Sequence, residues 1–325
     1  MPRRGGGRGF LAPGGDSPNT RAMPTRGTLG VLAVTGLLGS ARAESDSQTD
    51  LLGPREVAVG EAMRGGATGS SAIGLNPAGL PLNRELVFEG GYGYRGSDSA
   101  SIVGVSACDS TNPMPGCFFY DYASASPEIG GASGSRTTHV AGIALSRLFV
   151  PRVLIGATTK YYSFKSDLMG ETSASGFVFD LGATVRVTEM VNLGVSAQNL
   201  WASEESPEFP RAIGWGFHAR PIPILALGFD MKWKLEGEDR KARYGGGAEL
   251  VLRSGNSLEV PIRAGGLRDG DTDTTYLSGG LGLAGLRWGL DIAARRRVVG
   301  GDETMVMASM RFFGPRMASP GLGFE

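Results

Sequence analysis

The sequence predicts an all-β protein, a transmembrane antiparallel β-barrel of about 14 strands. Three observations carry that expectation. From about residue 85 to residue 313, apolar and polar side chains alternate with a period of two. The links between the alternating runs are short and long by turns. An export signal stands near the start of the chain.

The signal comes first in chain order. Arg26 precedes a short apolar run from Leu29 to Leu38, and Ala41-Arg42-Ala43 forms an A-x-A cleavage site before Glu44. Gly30, Gly36 and Gly39 make the run a poor interior for a buried helix. Residues 1–43 are therefore expected to be a signal peptide, with Met23 as an alternative start. The bulk properties change once it is removed. The whole chain of 325 residues has no formal net charge, and residues 44–325 hold 26 basic and 31 acidic side chains. That mildly acidic balance gives no reason to expect a nucleic-acid partner. No apolar stretch reaches the ~18 residues of a membrane-spanning helix, which excludes helical membrane folds but not a barrel.

Glycine is the compositional outlier, at 53 residues, more than twice the usual share of about 7%. It follows no three-residue period and is spread through alternating runs, so it reads as strands that bend or that keep one face small. In residues 191–198, Val191, Leu193, Val195 and Ala197 point one way, and Asn192, Gly194, Ser196 and Gln198 the other. Phe177 to Val187, Ile213 to Phe217, Leu225 to Trp233 and Leu286 to Ile292 repeat the pattern. The expected strands are 86–95, 100–108, 117–125, 137–148, 151–165, 174–187, 191–202, 210–220, 223–236, 241–253, 257–268, 274–284, 286–297 and 303–313. Most reach the ~9–11 residues that a tilted membrane strand needs. Very short links at 149–150, 188–190, 221–222, 254–256 and 285 alternate with longer polar ones from 126–136 to 298–302. A soluble sandwich alternates within strands too. The loop asymmetry, the even strand number and the export signal favour the barrel. Tyr92, Tyr94, Tyr161, Trp201, Trp233 and Phe312 lie near strand ends on the apolar face, as an interfacial girdle requires.

Candidate chemistry is sparse. Cys108 and Cys117 bracket a run of turn formers and are expected to form a disulfide closing a hairpin loop. The Gly91–Gly96 and Gly280–Gly285 stretches match a nucleotide-loop pattern but open no helix. His139 and His218 lack a nucleophile motif and read as structural or lumenal. Asp269, Asp271 and Asp273 lack the later glutamate of a calcium loop and read as a solvated outer loop. No enzymatic activity, metal or cofactor is expected. The polar face carries Asp180, Arg186, Asp230, Lys232, Arg263, Arg287, Asp291 and Arg295, together with Glu89, Glu249 and Glu259. Mixed signs fit a lumen laced with ion pairs better than the one-signed ring of an ion-selective pore.

Before the strands, residues 55–80 form a small-residue stretch that includes Gly65-Gly66-Ala67, then Asn76-Pro77-Ala78 and Gly79-Leu80. An ordinary turn would account for Asn-Pro alone. The whole frame resembles the entry of the FadL-type outer-membrane transporter superfamily, including its PorV/PorQ-like barrels. The resemblance extends through Ile262 to Ala293 near the end of the chain. It implies a hatch at 44–84 folded into a barrel of residues 85–313, followed by a C-terminal tail at 314–325. Asn76, Pro77 and Ala78 would help to close the lumen. It also implies an outer-membrane location, lipid contact and passive transport of small hydrophobic molecules such as fatty acids or hydrocarbons. The alternative role in that group is a PorV-like scaffold or secretion-associated barrel that binds a partner protein.

Overall fold

A computed structural model describes residues 52–316, apart from 130–131, 170, 205, 237–240 and 256–257. The expected signal peptide at 1–43 and the tail from 317 lie outside the described residues. Fourteen strands of those residues close into one barrel. They are β1 Glu85–Arg95, β2 Ala100–Asp109, β3 Gly116–Ala125, β4 Arg136–Val150, β5 Val153–Ser166, β6 Ala174–Arg186 and β7 Val191–Ala202. The second half comprises β8 Ala212–Ile222, β9 Leu225–Lys234, β10 Arg243–Ser254, β11 Leu258–Asp269, β12 Thr274–Ala284, β13 Trp288–Val299 and β14 Thr304–Arg316. Every strand pairs antiparallel with its neighbours in sequence, and β14 returns to β1. Closure satisfies the backbone from strand to strand and leaves no edge, which a hydrocarbon solvent demands. No described helix is long and apolar enough to cross a membrane.

Each boundary lies within three residues of its expected place. The largest difference is at the end, where β14 runs to Arg316 instead of stopping at 313, because Arg316 still pairs with Glu85. The link asymmetry holds from β3 onward. One rim carries turns such as 151–152 and 223–224, and the other carries the segments 126–135 and 203–211. The first hairpins invert it: four residues at 96–99 lie on the long-loop rim, and six at 110–115 on the short-turn rim. Those six residues lie inside a Cys108–Cys117 disulfide whose cysteines also face each other across the β2–β3 ladder.

The period-two alternation places its apolar set outward. Leu193, Val195, Leu281 and Ile292 are exposed on the barrel wall, while Ser196 is buried inside. Aromatic side chains form two bands. Tyr92, Tyr94, Tyr161, Phe177 and Trp201 lie toward the long-loop rim, with Trp233 half-buried among them. Phe88, Phe118, Phe149, Trp288 and Phe312 lie toward the short-turn rim. An apolar belt between aromatic bands is the surface a bilayer selects.

Candidate functional site

The inside of the barrel is occupied by the segment from Leu52 to Arg84. It is too rich in glycine and small residues to sustain a long helix, and it folds as α1 Pro54–Ala58, α2 Ser70–Leu75 and a 3-10 turn at Pro77–Leu82. Proline at the first helical position starts both α1 and the turn, where the missing N–H costs nothing. Two thirds of the segment is buried, and within it Asn83 alone is exposed.

Asn76, Pro77 and Ala78 meet the wall at β5, β6 and β7. The Asn76 side chain accepts a hydrogen bond from the Ala78 N–H and so caps the 3-10 turn. Its amide donates to the Arg64 and Ala183 carbonyls and to the Thr184 hydroxyl, at 2.9–3.2 Å. One fully buried side chain thereby ties two passes of the inner segment to β6. The wall admits this approach because it has no side chains there. A Cβ on Gly182 would lie 2.1 Å from Asn76 Oδ1, and one on Gly156 would lie 2.5 Å from the Pro77 carbonyl carbon. The contact continues around the barrel. Cβ atoms on Gly194, Gly228, Gly245 and Gly247 would fall 1.9–2.4 Å from the carbonyl oxygens of Arg64, Ala62, Gly60 and Val59. Real Cβ atoms do not approach so closely. The glycine excess is thus the surface on which one chain segment lies against a sheet.

Charged side chains lock the same contact. The Arg64 backbone N–H donates to both Asp230 oxygens at 3.0–3.1 Å, and its guanidinium donates to the Leu75 carbonyl and to Ser196. Glu61 pairs with Arg243 at 2.5 Å and Arg295 at 3.3 Å. Arg55 reaches Glu89 at 3.6 Å and donates to Ser70. Burial works against the Arg55 charge, but the Glu89 and Glu56 carboxylates outweigh it and hold its pKa above the ordinary value.

The polar-face residues separate into distinct groups. Asp291 binds Arg263 and Arg311 at 2.6 and 2.7 Å, and Arg263 also binds Glu249. Asp180 pairs with Lys160 at 2.7 Å and accepts the backbone N–H of Asn199, whose φ of 51° marks an irregularity between β6 and β7. Lys232 lines a small polar space beside Arg64 and Asp230, and Arg186 lines the short-turn mouth. Arg287 departs from the expected lumenal set. It lies in the turn before β13, exposed, because the strand begins one residue later than its side-chain parity suggests. His218 is inside, against Gly66, whereas His139 sits on the outer wall, where the Tyr120 hydroxyl lies 2.8 Å from its ring nitrogen. Asp269, Asp271 and Asp273 pair with Arg243, Lys234 and Arg268 respectively, and the segment is open to solvent at Thr272 and Asp273.

Sequence reasoning missed Arg55, Glu61 and Arg64. The usable signal was chemical. Charges in a segment expected to enter a lumen need partners of opposite sign on the wall.

Two spaces flank α1. A cavity of about 60 Å³ lies between the inner segment and β14, β1, β2 and β3, with Leu52, Pro54, Ile73, Ile102, Phe119 and Met307 among its lining. A wider vestibule of about 480 Å³ opens toward the short-turn rim, lined by Arg55, Val59, Met63, Glu189, His218 and Phe313 among others. Outside the wall, a lipid-facing groove runs over β12, β13 and β14. Tyr92, Met307 and Ala308 border both the groove and the 60 Å³ cavity.

No protein-family model matches the sequence. Nor does any curated protein match it significantly. Solved structures do. The CymD monoaromatic hydrocarbon channel superposes with a TM-score of 0.60 at 12% identity, over 81% of this chain and 99% of that one. The toluene transporter TbuX of Ralstonia pickettii gives 0.59 at 14% identity, over 82% and 99%. A FadL homologue of Pseudomonas aeruginosa gives 0.57 at 9% identity, over 80% and 98%. Identities so low establish the fold alone, the closed barrel that this chain shares with those proteins.

Proposed function

We propose that the protein is an outer-membrane barrel for passive transport of small hydrophobic molecules, with Leu52–Arg84 as its hatch. Export by a signal at residues 1–43 belongs to this reading. The observation that carries it is the position of α1 between an apolar-lined cavity and a polar vestibule. A molecule leaving the bilayer finds comparably apolar surroundings in the first space, so that step costs little. It then needs only a local displacement of α1 to reach the second. The Arg55–Glu89 pair and the Ser70 hydroxyl are the contacts that such a displacement breaks. At about 60 Å³ the cavity at rest is smaller than the roughly 150 Å³ that holds a benzene ring, so passage requires side chains to move. The solved neighbours described as hydrocarbon channels and a toluene transporter support the same class of cargo.

Uptake tests the reading. Gram-negative cells lacking their own hydrocarbon channel should accumulate a labelled monoaromatic several-fold faster when they express this chain. Glu89→Gln, which weakens the latch, should raise the rate further. Equal accumulation with and without the correctly inserted protein would remove the transport reading. A barrel that holds a partner protein would then be the role to test.

A further inference from the structure

We propose that the 60 Å³ cavity selects cargo bearing one hydrogen-bond donor, a hydroxyl or a protonated nitrogen on a small apolar body, over a plain hydrocarbon. This deepens the transport reading and rests on it for the word cargo, but the site itself can be tested by binding alone.

The cavity holds two carboxylates and they are not equivalent. Glu89 is engaged on all sides: Arg55 lies 3.6 Å away, and Ser70 and Ser309 both donate to it. The Asp121 side chain has no hydrogen bond or ion pair among the described residues. Lys160, on the wall two strands away, is held by Asp180 at 2.7 Å. Asp121 occupies space that the wall has cleared for it, since a Cβ on Gly104 would lie 2.6 Å from its Oδ1. Two residues further along β2, the Ser106 hydroxyl lines the same cavity, buried and without a hydrogen-bond partner.

The remaining walls are largely apolar, from Leu52, Ile73, Ile102, Phe119 and Met307. A carboxylate without a partner in such surroundings is costly, and buried polar groups are nearly always satisfied. A ligand that brings a donor to Asp121, with Ser106 in reach, supplies the missing bond. Its apolar body pushes aside Leu52 and Ile73, since a ring needs roughly 150 Å³ and the resting space is about 60 Å³. A hydrocarbon fills the same space and leaves both groups unpaired. Leaving buried polar groups unsatisfied makes that difference about tenfold in affinity.

The test uses the full protein in detergent and three probes built on one ring: toluene, benzyl alcohol and benzylamine. Equilibrium binding should rank benzylamine and benzyl alcohol about tenfold above toluene. Asp121→Leu should reverse the order by tightening toluene and weakening both donors. Asp121→Asn should keep benzyl alcohol and lose the benzylamine advantage, which separates a neutral donor from a cation. Gly104→Ala, which crowds the carboxylate, should weaken both donors if the Leu variant fails to fold. An unchanged ranking in any folded variant, or no donor preference in the wild type, overturns the proposal. Donor-selective binding without uptake of any probe by cells would sustain the site and remove transport.

Discussion

The two sides of the barrel hold the inner segment by different physics. From β5 to β12 the segment lies on glycine, backbone against backbone, and is fixed by Asn76, Arg64 and Glu61. From β13 round to β4 it packs through side chains, with Val57, Ala72 and Ile73 clustered against Ile102, Phe119, Val140, Ala293 and Met307. A backbone contact has no flexible part to yield, and a hydrogen-bonded ion pair is lost as a whole when one partner moves. Apolar side chains can change rotamer and repack. The glycine arc is therefore the anchor and the side-chain arc the face that can give. The 60 Å³ cavity lies on the side that can give.

The strongest challenge to this contrast is Asp230→Ala. It leaves the Arg64 backbone N–H and guanidinium without their carboxylate in a buried place. The loss should be about 3 kcal/mol in unfolding stability, and liposomes carrying the variant should swell in small sugars as the hatch loosens. Retained stability and a sealed barrel would show that Arg64 does not anchor the segment. Gly228→Val probes the same arc sterically. Its Cβ would lie 1.9 Å from the Ala62 oxygen, a backbone atom that cannot swing aside, so it should cost about 2–3 kcal/mol and leak sugars likewise.

On the opposite arc the outcome should differ in kind. Met307→Ala removes a buried side chain beside the cavity. It should cost about 2 kcal/mol, leave the barrel closed to sugars and speed uptake of a hydrophobic probe. If Met307→Ala leaks as Gly228→Val does, the two arcs are not functionally distinct. The disulfide belongs to this arc as well. Replacing Cys108 and Cys117 by Ala frees a loop with a sequence separation of nine and should cost about 2 kcal/mol. Denaturant midpoints of the oxidised wild type and the double variant would measure it.

Most of the wall was legible because a membrane strand writes its two faces into alternate residues. Val191 to Gln198 needed no tertiary information to be split into lipid-facing and inward sets. Arg287 was misplaced because parity predicts a direction but not where a strand begins. Its side chain has the inward parity of Asp291, yet it belongs to the turn. The inversion of loop lengths in the first hairpins was equally hidden, since a four-residue turn can serve either rim. Inside the barrel, the pairing of Glu61 with Arg243 and Arg295 spans more than 180 residues of sequence. No local pattern encodes such a pairing. Asn76-Pro77-Ala78 stood out as a motif, but its glycine partners, Gly156 and Gly182, were two among 53 glycines.

The smallest expected effect lies outside both arcs, between two loops of the long-loop rim. Asp167 accepts hydrogen bonds from the Ser135 N–H and hydroxyl, and its own N–H donates to the Ser135 carbonyl. The bonds from Ser135 hold the Asp167 carboxyl below the usual carboxylate range. A depressed pKa means that the contact favours the folded arrangement above the ordinary carboxylate pKa. The contribution fades as pH falls from there through the lowered value. Because the group is fully open to water, the consequence should be confined to the loops. The protection of the Ser135 amide, relative to its intrinsic exchange rate at each pH, should therefore fall in acid while protection in the β5 and β6 ladders is kept. Asp167→Asn should show the reduced loop protection already at neutral pH, with little further change on acidification. An acid response that spread into the strands, or one that persisted in Asp167→Asn, would locate the sensitive group elsewhere and would tie the outer loops to the hatch.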